Sequence, residues 1–217
     1  MTELIVALDG PDPLALASEL YMAGVRWFKL GPSALMDPEW ANLVRPSNEG
    51  FENDPLRLFL DIKLADTRET VHRAVTCFAE AGIAAVSTYT DGATEAAVRS
   101  AVGSRLRVWR VAHLTDVGYN DETIDDRIRS ISVRSHDLFA RGLIMPPWLV
   151  ARQGQMWGDV VCPAVRLEQS ATDDGHLFIT PARLCPSLGI THVVVGRPIW
   201  QAPDPIDSAR RYMEALR

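Results

Sequence analysis

Short apolar runs alternate with longer amphipathic stretches along the whole of this chain, and no other feature limits its fold so strongly. Runs suited to strands fall at 4–8, 26–30, 58–62, 84–88, 107–112, 143–145, 159–161 and 192–195. Each is short and rich in apolar or β-branched residues, as buried strands are. Helical patterns lie between them at 13–23, 68–81, 94–101 and 181–188, and a last one at 205–216. Strand followed by helix, repeated without a break, predicts an α/β fold with a parallel sheet covered by helices. Eight such units fit a closed (β/α)8 TIM barrel, although 217 residues is somewhat below the ~250 usual for that fold. An open flavodoxin-like sheet is the alternative, and it needs fewer strands than these. The sixth and seventh strands are the least defined, because Pro146 and Pro147 cut one short and 148–158 shows no clear pattern. With no linker, low-complexity segment or internal repeat, residues 1–217 read as a single barrel domain.

Composition narrows the function classes. The formal net charge is −6 and no basic tract occurs, which argues against nucleic-acid binding. No apolar run approaches the roughly 20 residues needed to cross a bilayer. The N-terminus enters a strand at once, without a signal-peptide pattern. Three widely spaced cysteines, Cys77, Cys162 and Cys185, read as reduced thiols. The expectation is a cytoplasmic protein with no membrane partner.

In a TIM barrel the active site forms where the strands end. The strand ends here are unusually polar: Asp9, Lys29, then Asp61, Lys63 and Asp66, later Thr115, and finally Gly196 with Arg197. Asp61 and Lys63 are two apart, so a continuing strand turns both to one face. Burying such charges is costly unless they pair or act on a ligand. Glycine followed by arginine suits a phosphate: the backbone can approach closely and the guanidinium offers a bidentate fork. Elsewhere in the chain no His/Asp/Glu cluster has metal-ligand spacing, which argues against a metal site there.

Four segments, in order, resemble the orotidine 5'-monophosphate decarboxylase family. Leu4-Ile5-Val6-Ala7-Leu8-Asp9 is similar to its first strand and Phe28-Lys29-Leu30-Gly31 to its second. Asp61-Ile62-Lys63-Leu64-Ala65-Asp66, followed by Thr70, resembles its Asp-x-Lys-x-x-Asp signature. Val193-Val194-Val195-Gly196-Arg197-Pro198-Ile199, followed by Asp204-Pro205, resembles its phosphate-binding end. The resemblance implies cofactor-free decarboxylation of orotidine 5'-monophosphate to uridine 5'-monophosphate. It gives Lys29, Asp61, Lys63 and Asp66 catalytic positions, and Lys63 stabilises and protonates the carbanion. It makes Asp9, Thr70, Thr115, Gly196 and Arg197 substrate-binding residues. It also implies a homodimer, in which Asp66 and Thr70 reach the partner's site. Two alternatives stand beside it. One is a related decarboxylase or aldolase of the 3-keto-L-gulonate 6-phosphate type, which binds magnesium and typically has glutamate where Lys29 stands. The other is a catalytically silent barrel that binds a phosphate ligand.

The chain departs from the family's pattern where the base and phosphate are gripped. Asp174-Gly175 stands where many members have Asp-Gln, so that glutamine is missing unless Gln169 replaces it. Gly118 occupies the place of a serine that often meets the pyrimidine, with Thr115 close by.

Overall fold

The structure, a computed structural model, describes residues 1–32, 56–112, 126, 129, 131, 140–153, 158–168 and 180–217. All eight expected strands form. They are β1 (Glu3–Ala7), β2 (Trp27–Leu30), β3 (Arg57–Leu64), β4 (Ala85–Thr88), β5 (Arg107–Val111), β6 (Gly142–Ile144), β7 (Asp159–Cys162) and β10 (His192–Val195). They close into a barrel in the order β1-β10-β7-β6-β5-β4-β3-β2, with every pair parallel. Closure rules out the open sheet. A separate ribbon of β8 (Val165–Arg166) and β9 (Thr180–Pro181) was not expected from the sequence.

Helices among the described residues include α1 (Pro13–Met22), α2 (Arg68–Glu80), α3 (Asp91–Ser100), α4 (Pro147–Gln153), α5 (Arg197–Trp200) and α6 (Pro205–Ala215). Helix α3 starts ahead of the expected residue 94 because Thr90 caps it, its hydroxyl accepting the Ala93 N–H. The unreadable stretch after Pro146 begins with α4, where Pro147 takes the first helical position and loses no needed hydrogen bond. The helix expected over 181–188 does not form. Pro181 belongs to β9, and two 3-10 turns follow at Ala182–Leu184 and Pro186–Leu188. Pro186 has no N–H to give, so a continuous α-helix would lose a bond at its centre.

Two apolar layers result. Alternate strand residues Ile5, Trp27, Phe59, Ala85, Trp109, Val111, Ile144 and Val161 pack together. Residues of the opposite parity, such as Leu4, Val6, Phe28, Leu60 and Val86, pack with helix residues such as Leu20, Val71, Ala97 and Tyr212. The first set therefore fills the barrel and the second joins it to its helices. Trp109 stands at 5.5 Å from Trp27 and 4.8 Å from Phe59, ring centre to ring centre, so aromatics plug the interior.

The N-terminal end of the barrel is sealed by paired charges. Glu3 meets Arg57 at 2.8 Å, accepts the Trp27 indole N–H at 3.1 Å and lies 3.3 Å from His192 Nε2. Asp159 meets Arg107 at 3.1 Å and accepts the Trp109 indole N–H at 2.9 Å. The adjacent His192 pulls the Glu3 carboxyl down to about 2, against the upward effect of burial, with Arg57 and Trp27 adding to the fall. Groups at this end of a TIM barrel serve stability rather than chemistry.

Candidate active site

At the opposite end, β1, β2 and β3 deliver a line of alternating charge. The Lys29 ammonium lies 3.2 Å from Asp9 Oδ2 and 3.9 Å from Asp61 Oδ2. The Lys63 ammonium lies 3.0 Å from Asp61 Oδ1. The order along the rim is thus Asp9, Lys29, Asp61, Lys63. The two central side chains are largely buried, with 13% of Lys29 and 17% of Asp61 exposed, whereas Asp9 and Lys63 at the ends are about 40% exposed (42% and 39%). Strand register explains the meeting: Ala7 pairs with Lys29, and Leu30 with Leu60, so the ends of all three strands lie side by side. Gly31 makes room for the line. A Cβ there would sit 3.2 Å from Asp9 Oδ1 and 3.8 Å from Lys29 Nζ, closer than the carboxylate comfortably allows.

Strand β3 runs through Asp61 and Lys63, as the spacing requires, but not regularly. Leu60 pairs with Val86 and Leu64 with Thr88, so three residues of β3 face only Ser87 of β4. A bulge of this kind re-aims side chains next to functional sites. Lys63 pays for it with φ of +49°, in the left-handed region that L-residues avoid. Ser87 fills the gap. It is completely buried, its hydroxyl donates to Asp61 Oδ1 at 2.8 Å, and its oxygen accepts the Lys63 backbone N–H at 2.9 Å. Nothing in the sequence singled out Ser87. The one available signal was a polar residue inside an otherwise buried strand.

Gly196 and Arg197 follow β10, the neighbour of β1, so they adjoin the Asp9 end of the line. Gly196 holds φ −114° and ψ −102°, a pair outside the main regions open to L-residues, and α5 begins directly after it. Arg197 is exposed on the rim. Beside them, the Trp200 ring packs so near Gly10 that a Cβ on that glycine would come within 2.9 Å of it.

Asp66 and Thr70 are not joined to this line within one chain. Asp66 is exposed and its Oδ1 accepts the Thr67 N–H at 2.6 Å. Thr70 lies in the first turn of α2, with its hydroxyl 3.0 Å from that of the capping Thr67. Thr115, Gly118, Gln169 and Gly175 lie outside the described residues. Among the described residues, no group of three His, Cys, Asp or Glu could hold a metal ion. Both buried cysteines are poor nucleophiles: burial pushes Cys185 up to about 12 and Cys162 well above the usual thiol range. A cavity of about 1090 Å³ lies between the end of α3 and the starts of β5, β6 and β7, lined in part by Arg105, Arg107, Arg141 and Asp159. It includes none of the rim charges, and size alone does not make it the seat of the chemistry.

Curated relatives and solved structures match this chain over nearly its full length. The orotidine 5'-phosphate decarboxylase of Cereibacter sphaeroides is 34% identical, covering 93% of this chain and 91% of the relative. That of Opitutus terrae is 30% identical, over 99% and 98%. Among solved structures, orotidine 5'-phosphate decarboxylase from Lactobacillus acidophilus superposes with a TM-score of 0.76 at 19% identity, covering 100% of this chain and 99% of the other. The Thermotoga maritima enzyme gives 0.73 at 18% identity, over 98% of each; at such identities these two speak for the barrel alone. Residues 2–212 match the family described as Orotidine 5'-phosphate decarboxylase / HUMPS family, and the chain belongs to it.

Proposed function

We propose that this protein decarboxylates orotidine 5'-monophosphate to uridine 5'-monophosphate, without a cofactor, in pyrimidine synthesis. The observation that carries the reading is the charge line Asp9–Lys29–Asp61–Lys63, set on the catalytic rim of the barrel. Breaking the bond to the carboxylate leaves an electron pair on a ring carbon that has no electron sink. Fixed charge in a water-poor site stabilises such an anion far better than water does. Lys63 supplies that charge, then transfers an ammonium proton to the carbon as CO2 departs. The neutral amine regains its proton from solvent. Asp61 contacts both lysines and so orients Lys63 while facing the departing carboxylate.

Lys29 separates this reading from the sugar-phosphate branch of the same family. Its ammonium lies between the carboxylates of Asp9 and Asp61, where it repels a divalent cation rather than helping to ligate one. In the proposal Asp9 and Lys29 meet the ribose, and Gly196 with Arg197 takes the phosphate. Asp66 and Thr70 stand apart from the line in one chain, in keeping with a homodimer in which each completes the partner's site.

Purified protein given orotidylate, with and without a chelator, tests the assignment by loss of substrate absorbance. Turnover that the chelator leaves unchanged is expected. Metal-dependent action on a hexulose or gulonate phosphate, or nucleotide binding without turnover, would replace it.

A further inference from the structure

We infer that Ser87 is a positioning residue for the decarboxylation: it clasps the bulge of β3 and sets Lys63 against Asp61. The inference rests on the proposed function and names a residue that the family signature does not contain. Its ground is the hydrogen-bond direction. A backbone N–H can only donate, so the Lys63 N–H occupies a lone pair on Ser87 Oγ and leaves the hydroxyl proton for Asp61 Oδ1. The same Oδ1 meets the Lys63 ammonium. One side chain therefore fixes both ends of the catalytic pair, the lysine through its backbone and the aspartate through its carboxylate.

The bulge makes this necessary. Ser87 alone stands opposite three residues of β3, so its hydroxyl accepts the Lys63 N–H in the gap where a regular ladder would offer a carbonyl. Without the hydroxyl, that N–H and one Asp61 lone pair lose their partner inside a site with no exposed serine surface. The bulge can then relax, the positive φ of Lys63 is no longer held, and the ammonium leaves the alignment that proton transfer needs. Misplacement of this size is costly to chemistry and nearly neutral to remote binding.

Two variants test the idea. Ser87→Ala removes the hydroxyl, and Ser87→Cys keeps the side-chain shape, with a somewhat larger atom, but replaces a strong donor with a weak one. Both should lower kcat by about 10- to 100-fold, in line with the loss of a hydrogen bond to a charged group. Affinity for uridine 5'-monophosphate, measured by calorimetry, should stay within about twofold, since the phosphate end is untouched. A packing role predicts otherwise: the change in volume would then lower kcat and affinity together, and that result, or an unchanged kcat, overturns the inference. So does a loss confined to KM. Should Ser87→Ala fail to fold, Ser87→Cys decides alone. Lys63→Ala, assayed alongside, separates the levels: if it turns over normally the function fails, and if only the Ser87 variants do so the clasp fails.

Discussion

Replacing Lys63 by glycine and by alanine separates its chemical task from the strain it bears. Its φ of +49° costs a non-glycine residue on the order of 1–2 kcal/mol, which glycine does not incur. Both replacements lose the ion pair with Asp61. Because 39% of the Lys63 side chain is exposed, that pair contributes only about 0–1 kcal/mol after solvent screening. Alanine keeps the strain and glycine releases it, offset in part by the greater freedom of glycine in the unfolded chain. The Lys63→Gly protein should therefore be more stable than Lys63→Ala by about 1 kcal/mol, or about 2–4 °C in Tm for a domain of this size. Turnover should fall by about 10⁴-fold or more in both, because a counter-charge and a proton donor go together. Thermal and urea denaturation read the first effect, and orotidylate decarboxylation the second. An alanine variant at least as stable as the glycine variant would show that residue 63 carries no strain. Near-normal turnover by either would remove Lys63 from the chemistry.

Arg197→Ala should weaken binding of uridine 5'-monophosphate by about 2–4 kcal/mol, since a charge-assisted fork is lost; unchanged calorimetric affinity would place the phosphate elsewhere. Mixing Lys63→Ala and Asp66→Ala proteins should recover about a quarter of normal activity after subunit exchange, because half the dimers then hold one intact site of two. No recovery, with exchange verified, would refute the shared site. The Glu3 carboxyl, held at about 2 from an ordinary 4.5 chiefly by His192, contributes stability that is complete above pH 4.5 and lost as pH falls towards 2. Glu3→Gln should be less stable at neutral pH by about 1–2 kcal/mol once screening of its partly exposed side chain is allowed for. Urea titrations across that window should show the difference closing, and a constant difference would contradict the linkage.

The barrel was legible because its signal is local. Alternating strand and helix patterns appear within windows of a dozen residues, and all eight strands emerged at the expected places. Even the weak sixth and seventh strands form, each held by parallel neighbours on both sides. The helix at 181–188 was misread because its apolar pattern outweighed Pro186, which breaks the run into two turns. In the site, the spacing of Asp61 and Lys63 announced a shared face, but the bulge did not appear in that spacing. It arises from pairing with β4, some 24 residues later. A serine in a strand is too ordinary to suggest that it completes such a bulge.

Charge at a strand end was a weaker signal than it looked. Glu3, Arg57, Arg107 and Asp159 also lie at strand ends and also form close pairs. They begin their strands, whereas Asp9 and Lys63 come late in or after theirs. In a parallel barrel that difference in direction assigns one set to the sealed end and the other to the catalytic rim. Conformation separates the two sets further. At the sealed end each charge meets an aromatic or an opposite charge while its backbone stays regular, as the Arg57 and Arg107 guanidiniums over Trp27 show, at 5.6 and 5.5 Å. On the rim, Lys63 is held in a backbone conformation that a stabilising ion pair does not need. Strain kept in place by a buried hydroxyl is better explained by a position required for chemistry than by any gain in folding.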